Sequence, residues 1–413
     1  MLTALIAKFR ADPTNADHQA LLGVALAATG NASALRDLFN AVHQAGGCGL
    51  ECAFMVGHRL ALHKHALLKQ LVEGYDPQCP FRGALVAALG YAHALHYDLD
   101  GAVEAIRDGL RWVILVQNRI PGERLSSFSY TQLIKSAFLF ERSDWSGAAA
   151  PLARVETLHQ GCADSEFVCL AAADSRYFVT YAPGFLGDLR ANAGVPADPV
   201  LVIVDPDAEA LACAAELARR HPEATILVNA YGGPKLVEYC SGARFVLAAD
   251  MLRRMGRPTI FLDIDTHFAP GYGEVLGHIA QFPLSSLHRH VAPPYLIAEA
   301  SVVGAHPGEH SDAFFTEAAG YFMAKLAEEG PLWHIDQVAL HRALCLARCR
   351  GFAPMDLGRM FQGGVELPGY FKKSHDLAFV NRFQGRTDAA AAEQSFAISA
   401  EGKPIFSSRS HTV

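Results

Sequence analysis

Apolar residues recur at helical spacing through the first part of the chain, from Ala4 to about Leu158. Polar and glycine-rich breaks separate the helical segments, and they fall at Asp12-Pro13, Gly30-Asn31, Asp76-Pro77 and Pro121-Gly122. Residues three or four positions apart lie on one face of a helix. The pattern therefore predicts an all-α domain over residues 1–160.

Small and large residues repeat within this helical region. The two clearer sets begin 67 positions apart, and they are Gly23, Leu26, Gly30, Leu35 and Phe39, then Gly90, His93, Tyr97, Ala102 and Ile106. A weaker third set is Ala137, Phe140, Asp144 and Ala149. The spacing resembles the tetratricopeptide (TPR) helical hairpin, in which a small residue lets two helices approach closely. Other antiparallel helical arrays give a similar pattern, so both interpretations stay open.

The pattern changes after the polar break at residues 160–164. Short apolar runs now alternate with helix-length segments, and the runs are FVCLAAAD, PVLVIVD, ATILVNA and PTIFLDID. Continuous runs rich in Val and Ile are typical of strands buried on both faces, with crossover helices between them. The sequence predicts an α/β domain with a mostly parallel sheet over residues 165–385. We expect residues 386–413, which are rich in Ala, Ser and Gln, to form a tail.

Ligands in such sheets bind beyond the carboxyl ends of the strands. The residues that close the four runs are Asp174, Asp205, Asn229 to Tyr231, Asp263 and Asp265. Side chains two apart on a strand share a face, which would bring Asp263 and Asp265 together. Paired carboxylates suit Mg²⁺ or Mn²⁺ together with phosphate oxygens of a substrate. Alternatively, one aspartate caps the next turn and the other is solvated.

Composition narrows the function classes. The 413 residues are 51% apolar, carry a net charge of −7 and contain no dense basic run, which argues against nucleic acid as a partner. The sequence shows neither a transmembrane stretch nor a secretory signal, so we expect a cytoplasmic protein. Its nine cysteines are expected to be reduced thiols. The pairs Cys48/Cys52 and Cys345/Cys349 fit either zinc ligation or small buried residues.

Four segments occur in a fixed order: FVCLAAADSRYF at 167–178, SGARFVLAADML at 241–252, LDID at 262–265 and WHIDQVAL at 333–340. Together they resemble the A-type nucleotide-sugar glycosyltransferases, whose metal motif is Asp-x-Asp. The nearest resemblance is to the retaining group that includes glycogenin and the bacterial lipopolysaccharide galactosyltransferases. The resemblance implies a Rossmann-like mixed sheet, a nucleoside diphosphate sugar as donor and Mn²⁺ or Mg²⁺ as cofactor.

The resemblance also implies roles for individual residues. Asp174 and Tyr177 would hold the nucleotide base, and Asp263 with Asp265 would bind the metal. Arg244 would pack against the substrate site. On physical grounds Tyr177 fits either base stacking or core packing, and Arg244 fits either a phosphate clamp or a pair with Asp250 or another helix carboxylate.

Asp336 and Gln337 match the motif that opens the helix after the substrate pocket, and they are the catalytic candidates. Asp336 fits helix capping equally well.

The chain departs from the family pattern in three places. The segment VALH at 338–341, directly after Asp336 and Gln337, lacks the second Asp and the Asn that are usual there. The segment expected to contact the donor sugar has Ile297 where the family has Asn and Glu299 where it has Gly. The C-terminal metal-binding His, followed by Gly and Lys, is not present in that order. The nearest substitute is YFKKSH, in which His375 would complete the metal shell and Lys372 or Lys373 would meet a phosphate. His375 fits a surface position as well.

These observations predict a metal-dependent glycosyltransferase that transfers a sugar to a protein or glycan acceptor, with retention implied by the resemblance alone. The helical region either recruits the acceptor or completes a shared core. Two alternatives remain open. FLDIDTHF also resembles the haloacid-dehalogenase phosphatases, although Thr266 and His267 depart from that motif. The other alternative is a non-catalytic TPR-like scaffold with a degenerate transferase fold.

Overall fold

The structure is a computed structural model of the chain. It describes residues 2–140, 154–162, 164–192, 197–268, 272–288, 294–329, 333–357, 371–373, 396–398 and 404–406. The chain divides into two compact units. The first comprises Met1–Trp145 with His290–Ile297, and the second comprises Ser146–Arg289 with Ala298–Val413.

The first unit is helical, as the apolar spacing predicts. Its helices are α1 (Leu2–Ala11), α2 (Ala16–Thr29), α3 (Ala32–Gln44), α4 (Gly49–His63), α5 (His65–Glu73), α6 (Arg82–Leu95), α7 (Leu99–Arg119) and α8 (Ser127–Phe140). The predicted break at Gly30-Asn31 separates two of these helices. Gly30 ends α2 with a φ of 73°, and the Asn31 side chain accepts a hydrogen bond from the Ala34 N–H at the start of α3.

Two of the small residues in the repeated pattern lie at close helix contacts. A Cβ atom on Gly90 of α6 would lie 2.8 Å from the backbone nitrogen of Ile106 on α7. A Cβ atom on Gly23 of α2 would lie 2.4 Å from a methyl group of Val56 on α4. The glycines thus allow these helix pairs to pack tightly, as in any close-packed helical array. The TPR interpretation remains a prediction.

The second unit combines an eight-stranded sheet with helices. Its strands are β1 (Arg154–His159), β2 (Val168–Asp174), β3 (Asp198–Val204), β4 (Thr225–Ala230), β5 (Thr259–Leu262), β6 (Thr266–Phe268), β7 (Leu284–His288), β8 (Ala298–Ala305), β9 (Met355–Asp356), β10 (Phe371–Lys373), β11 (Phe396–Ile398) and β12 (Pro404–Phe406). Its helices are α9 (Ser175–Asn192), α10 (Ala208–Arg220), α11 (Leu236–Val246), α12 (Ala248–Met255), α13 (Tyr272–Ile279), α14 (Glu309–Leu326) and α15 (Ile335–Cys349).

The four predicted strands are confirmed as β2, β3, β4 and β5. They pair in parallel and form the centre of the sheet, whose order is β1-β4-β3-β2-β5-β8-β7-β9. Every residue of β3 is buried, as expected for a strand covered on both faces. The mixed character of the sheet comes from β1 and β8, which pair antiparallel with β4 and with β5.

Three features differ from the sequence prediction. The helical pattern was expected to reach Leu158, but residues 154–159 form β1 at the edge of the sheet, where its pairing with β4 overrides the weak helical spacing. The short segment Pro294–Leu296, a single 3₁₀ turn, belongs to the helical unit although it was assigned to the α/β domain. Within the region predicted as a tail, β11 and β12 pair antiparallel.

Candidate functional site

The sheet contains a point at which its strand order reverses. From β2 the chain adds β3 and then β4 on one side, and then places β5 on the other side of β2. The carboxyl ends of β2 and β5 are therefore neighbours, with Ala171 paired with Leu262. Ligands of open α/β sheets bind in the crevice at this kind of switch point. Asp174 closes β2 and Asp263 directly follows β5, so both acidic candidates lie there.

Asp263 and Asp265 lie in a tight turn after β5, which we call the acidic turn (residues 263–266). The strand ends at Leu262, three residues before Asp265, so neither aspartate lies on the strand itself. The Thr266 N–H donates a hydrogen bond of 3.1 Å to the Asp263 carbonyl. Ile264 is buried, whereas Asp263 and Asp265 are half-buried. The apolar side chain between them anchors the turn and leaves both aspartates at its more exposed side.

Arg244 of α11 is paired with the acidic turn. One of its terminal nitrogens, Nη2, lies 2.5 Å from Oδ1 of Asp263 and donates a 2.7 Å hydrogen bond to the Ala300 carbonyl of β8. The other, Nη1, donates to the Ser241 carbonyl at 3.0 Å. The arginine is only 2% exposed, so its charge is neutralised mainly by Asp263. Of the helix carboxylates considered from the sequence, Asp250 instead lies 3.8 Å from the exposed Arg253.

The Nε atom of Arg244 is buried and has no hydrogen-bond partner among the described residues. An unpaired buried N–H costs about 1–3 kcal/mol. Such a donor close to the acidic turn is suited to an oxygen atom of a ligand or of water. The phosphate role of Arg244 remains a prediction.

Asp174 caps α9. Its Oδ1 accepts a 2.8 Å hydrogen bond from the Tyr177 N–H, which satisfies one of the free donors of the first helical turn. Tyr177 is half-buried against the apolar core of the sheet. Base stacking and packing both remain compatible with this position, so the base-binding roles of Asp174 and Tyr177 remain predictions.

Sequence reasoning missed Tyr181, one helical turn beyond Tyr177. The two rings lie 5.2 Å apart between centroids at an angle of 48°. Burial raises the pKa of Tyr181 to about 12, with smaller contributions from Tyr177 and from the negative charge of Asp265. Tyr181 therefore lies close enough to the acidic turn to sense its charge. The two tyrosines at i and i+4 are the sequence signal that could have identified this pair.

The ends of β3 and β4 are tied together by Asp205. Its φ of 46° is unusual for a residue other than glycine, and its carboxylate accepts hydrogen bonds from the backbone N–H groups of Tyr231 (2.8 Å) and Gly232 (2.9 Å). The buried Asn229 accepts a hydrogen bond from the Tyr239 hydroxyl at 2.9 Å. These internal contacts hold the strand-end loops in place. Sequence reasoning singled out Asp205 and Asn229 but gave them no such role.

The ring of Tyr231 stacks on that of Tyr239 at 3.8 Å and an angle of 10°. Cys240 follows on α11, and burial raises the pKa of its thiol, with further contributions from Asp174 and Asp205. The thiol therefore lies near two strand-end carboxylates and stays protonated at neutral pH.

Asp336 and Gln337 lie in the first turn of α15. Asp336 is buried, and Gln337 is half-buried. The helix begins after His334, whose side chain makes no capping hydrogen bond, so Asp336 is not the N-cap residue. An acidic residue in the first turn is still stabilising because it faces the positive end of the helix dipole. The catalytic roles of Asp336 and Gln337 remain predictions.

Strand β10, which contains the candidate Lys372, pairs with the strand that begins at the end of the acidic turn. Strand β10 pairs antiparallel with β6, so that Lys372 lies opposite His267 and Lys373 opposite Thr266. Thr266 directly follows Asp265, and Lys373 is two positions before His375. His375 itself lies outside the described residues. The backbone of Lys372 is thus close to the acidic turn, which is compatible with the predicted roles of this segment.

In the segment expected to contact the donor sugar, Glu299 lies on β8 and is 6% exposed. Ile297 belongs to the helical unit, where it packs with Ala94 and Ala102.

Among the side chains that the structure describes, no group of three or more histidines, cysteines or acidic residues is arranged to hold a metal ion. The zinc interpretation of Cys48/Cys52 and Cys345/Cys349 therefore gains no support, and none of the nine cysteines, all within the described residues, forms a disulfide. The acidic turn has two carboxylates. Mg²⁺ is commonly bound through one or two carboxylates with substrate phosphates completing the shell, so the oxygen ligands here fit such an ion.

Comparisons with known proteins give structural neighbours only. No protein-family model matches the chain, and no curated protein sequence matches it. Among solved structures, the apo form of the bifunctional glycosyltransferase WbbM is 11% identical with a TM-score of 0.33, and the similarity covers 56% of this chain and 49% of WbbM. The chain thus spans about half of that protein. Apo mouse xyloside xylosyltransferase 1 is 13% identical with a TM-score of 0.26, over 47% of this chain and 80% of the transferase.

Within the described residues, no helix has the length and apolar character needed to cross a membrane.

Proposed function

We propose that the chain is a metal-dependent glycosyltransferase that moves a sugar from a nucleoside diphosphate sugar to a protein or glycan acceptor. The observation that carries the proposal is the acidic turn at the switch point of the sheet, with Asp263 held by the buried Arg244. Ligands bind at this point in open α/β sheets, and paired carboxylates at such a point suit a divalent cation.

The charges at this edge of the sheet support the proposal of a divalent cation. Asp263 and Asp265 place two carboxylates two positions apart in the sequence of the acidic turn, and Arg244 is paired with one of them. Asp174 and Asp205 lie at the same edge and add further negative charge. A diphosphate would be repelled here unless a divalent ion lay between it and the carboxylates. Mn²⁺ or Mg²⁺, when bound, neutralises charge on a diphosphate leaving group.

The residues around the acidic turn would bind the metal, the phosphates and the nucleotide base. Asp263 and Asp265 would hold the metal, together with His375, and Lys372 would meet a phosphate. The Nε–H of Arg244 would donate to a phosphate oxygen or sugar hydroxyl, because it has no partner among the described residues. Tyr177, with Asp174 at the start of the same helix, would hold the nucleotide base.

Asp336 and Gln337 would act at the transferring sugar. Retention of configuration is proposed on the family resemblance, as is recruitment of the acceptor by the helical unit.

The proposal is tested by incubating the protein with a panel of nucleoside diphosphate sugars, with Mn²⁺ or with EDTA. A transferase hydrolyses its donor slowly in the presence of Mn²⁺: the sugar is transferred to water and the nucleoside diphosphate is released. This hydrolysis should stop when the metal is chelated. Release of inorganic phosphate from a phosphomonoester, without use of any sugar nucleotide, would favour the phosphatase alternative. Absence of both activities and of nucleotide binding would favour the scaffold.

Replacement of Tyr177 distinguishes stacking from packing. Loss of an aromatic platform costs about 1–3 kcal/mol of base stacking. Tyr177→Ala is therefore expected to weaken nucleoside diphosphate binding about tenfold, whereas Tyr177→Phe keeps the ring and should bind like the parent. Calorimetric titration measures both. If Tyr177→Ala binds as tightly as the parent, Tyr177 is a packing residue and the base is recognised elsewhere.

A further inference from the structure

Three histidines of the helical unit lie together where α5 begins and α6 ends. Between ring centroids, the His65 ring lies 5.1 Å from that of His96, nearly parallel to it, and 5.5 Å from that of His93. His65 is the first residue of α5, His93 lies in the last turn of α6, and His96 is the C-cap residue of α6. We call these three residues the histidine cluster. All of them belong to the first compact unit.

The first turn of α5 lacks two stabilising contacts. The Nε2 atom of His65 is buried and has no hydrogen-bond partner among the described residues. Lys64, the N-cap residue, makes no side-chain hydrogen bond to the N–H groups of this turn. Further along the helix, Leu68 and Leu71 are fully buried. The first turn is therefore the part of α5 that opens most easily.

The electrostatic surroundings oppose a proton on His65. A positive charge is unfavourable at the N-terminus of a helix and favourable at its C-terminus, so a cation is better accommodated at His93 and His96 than at His65. His93 also has a carboxylate partner, since its Nδ1 lies 2.7 Å from Oδ2 of Asp98. Burial, followed by the charges of His96, His93 and Lys69, lowers the pKa of His65 below its usual value, against a smaller opposing effect of Asp98.

Other ionisable groups of α5 and of the helices packed against it do not offset charge in the cluster. They are exposed, in contact with other groups or at the opposite end of their helix, and they are Arg36, Asp37, His43, Glu51, His58, Arg59, His63, Lys64, Glu73 and Arg82. Asp98, the N-cap residue of α7, is the carboxylate that faces the cluster. One carboxylate cannot offset the charge of three imidazolium groups.

We propose that the histidine cluster is a pH-sensitive switch: when its imidazoles are protonated, their repulsion opens the first turn of α5 away from the end of α6. Opening of this turn brings the buried Leu67 side chain toward solvent, so the apolar surface of the helical unit changes with pH. The inference is independent of the proposed function.

The direction of the pH effect follows from the protons bound in the two forms. A histidine released from the cluster has the ordinary pKa of about 6.5, whereas His65 in place binds a proton less readily. The open form therefore takes up more protons, and opening becomes more favourable as the pH falls below about 6.5. For one histidine that binds a proton only in the open form, the opening constant rises about tenfold between about pH 7.5 and pH 5.5.

The test is amide hydrogen exchange of the full chain at about pH 7.5 and pH 5.5, corrected for the intrinsic pH dependence of exchange. The readout is residues 68–70, because the Leu68 N–H closes the first turn with a 3.1 Å hydrogen bond to the Lys64 carbonyl. Acidification should raise their exchange about three- to tenfold in the parent and leave residues 110–116 of α7 unchanged. His65→Gln should remove this pH response. His63→Gln replaces an exposed histidine at the end of α4 and should keep it.

Acid opening of the whole helical unit is the main alternative. The His58 ring packs between those of Phe54 and Tyr91, and burial lowers its pKa to about 3, so global opening would also take up a proton there. Such opening would raise exchange in α7 as much as in α5.

Three results would overturn the proposal: an equal rise in both segments, no rise in the parent, or an unchanged pH response in His65→Gln. Should His65→Gln not fold, His96→Gln removes a repelling imidazole at an exposed position and must still reduce the rise. A full response in that variant would likewise exclude the switch.

Discussion

Replacing Arg244 with Met is expected to destabilise the second unit by about 3–5 kcal/mol, the usual cost of breaking a buried ion pair from one side. The Met side chain fills much of the space of the arginine stem but leaves Asp263 without its guanidinium partner. It also removes the donor to the Ala300 carbonyl. Urea unfolding measures the loss. Mn²⁺-dependent nucleotide binding should disappear with it, because Asp263 is no longer oriented.

Arg253→Met is the matched control for this variant. Arg253 lies on the neighbouring helix α12, is 53% exposed, and lies 3.2 Å from Asp312. Exposed ion pairs contribute about 0–1 kcal/mol, so this variant should be close to the parent in stability and binding. Adding Asp263→Asn to Arg244→Met should recover part of the lost stability, since the uncompensated charge is gone. Equal effects of Arg244→Met and Arg253→Met would show that the buried pair has no special role.

Asp265→Asn is expected to abolish the stabilisation that a nucleoside diphosphate and Mn²⁺ together give to the protein. Without ligand, its melting temperature should stay close to that of the parent, because Asp265 is half-buried and contributes little packing. A ligand at 100 times its Kd stabilises by about 2.7 kcal/mol, so its loss is easily measured by thermal shift.

Asp207→Asn is the control for the Asp265 variant. Asp207 also follows a strand at this edge, but it is exposed and caps α10 through a hydrogen bond from the Ala210 N–H. Asn is an equally good cap, so this variant should keep both stability and ligand response. A metal-binding role would be contradicted if Asp265→Asn lowered the melting temperature without ligand but was stabilised by nucleoside diphosphate and Mn²⁺ as much as the parent.

Much of the sheet and the location of its acidic residues could be predicted from the sequence. Strands β2 to β5 are short, continuous apolar runs, and this signal is local because both faces of each strand are buried. The position of Asp174 and Asp263 at the carboxyl edge then follows from the direction of parallel strands.

The contacts that organise the site could not be predicted in the same way. The pairing of Arg244 with Asp263 joins a helix to the turn after β5, whereas the sequence suggested Asp250 or another helix carboxylate as the partner. The anchoring of Ile297 among the helices depends on tertiary packing, which a single apolar residue next to a strand does not reveal. Strand β1 forms only because β4 offers an edge.

The central claim is that the acidic turn binds a divalent cation together with a nucleoside diphosphate. Calorimetric titration of the parent with ADP, GDP, UDP and CDP, each with Mn²⁺ and then with EDTA, tests this claim most directly. We predict that at least one nucleotide binds at a single site with Mn²⁺, and that chelation or the Asp265→Asn substitution removes this binding. Binding of equal strength with EDTA, or in the Asp265→Asn variant, would contradict the account, as would the absence of binding by all four nucleotides with Mn²⁺.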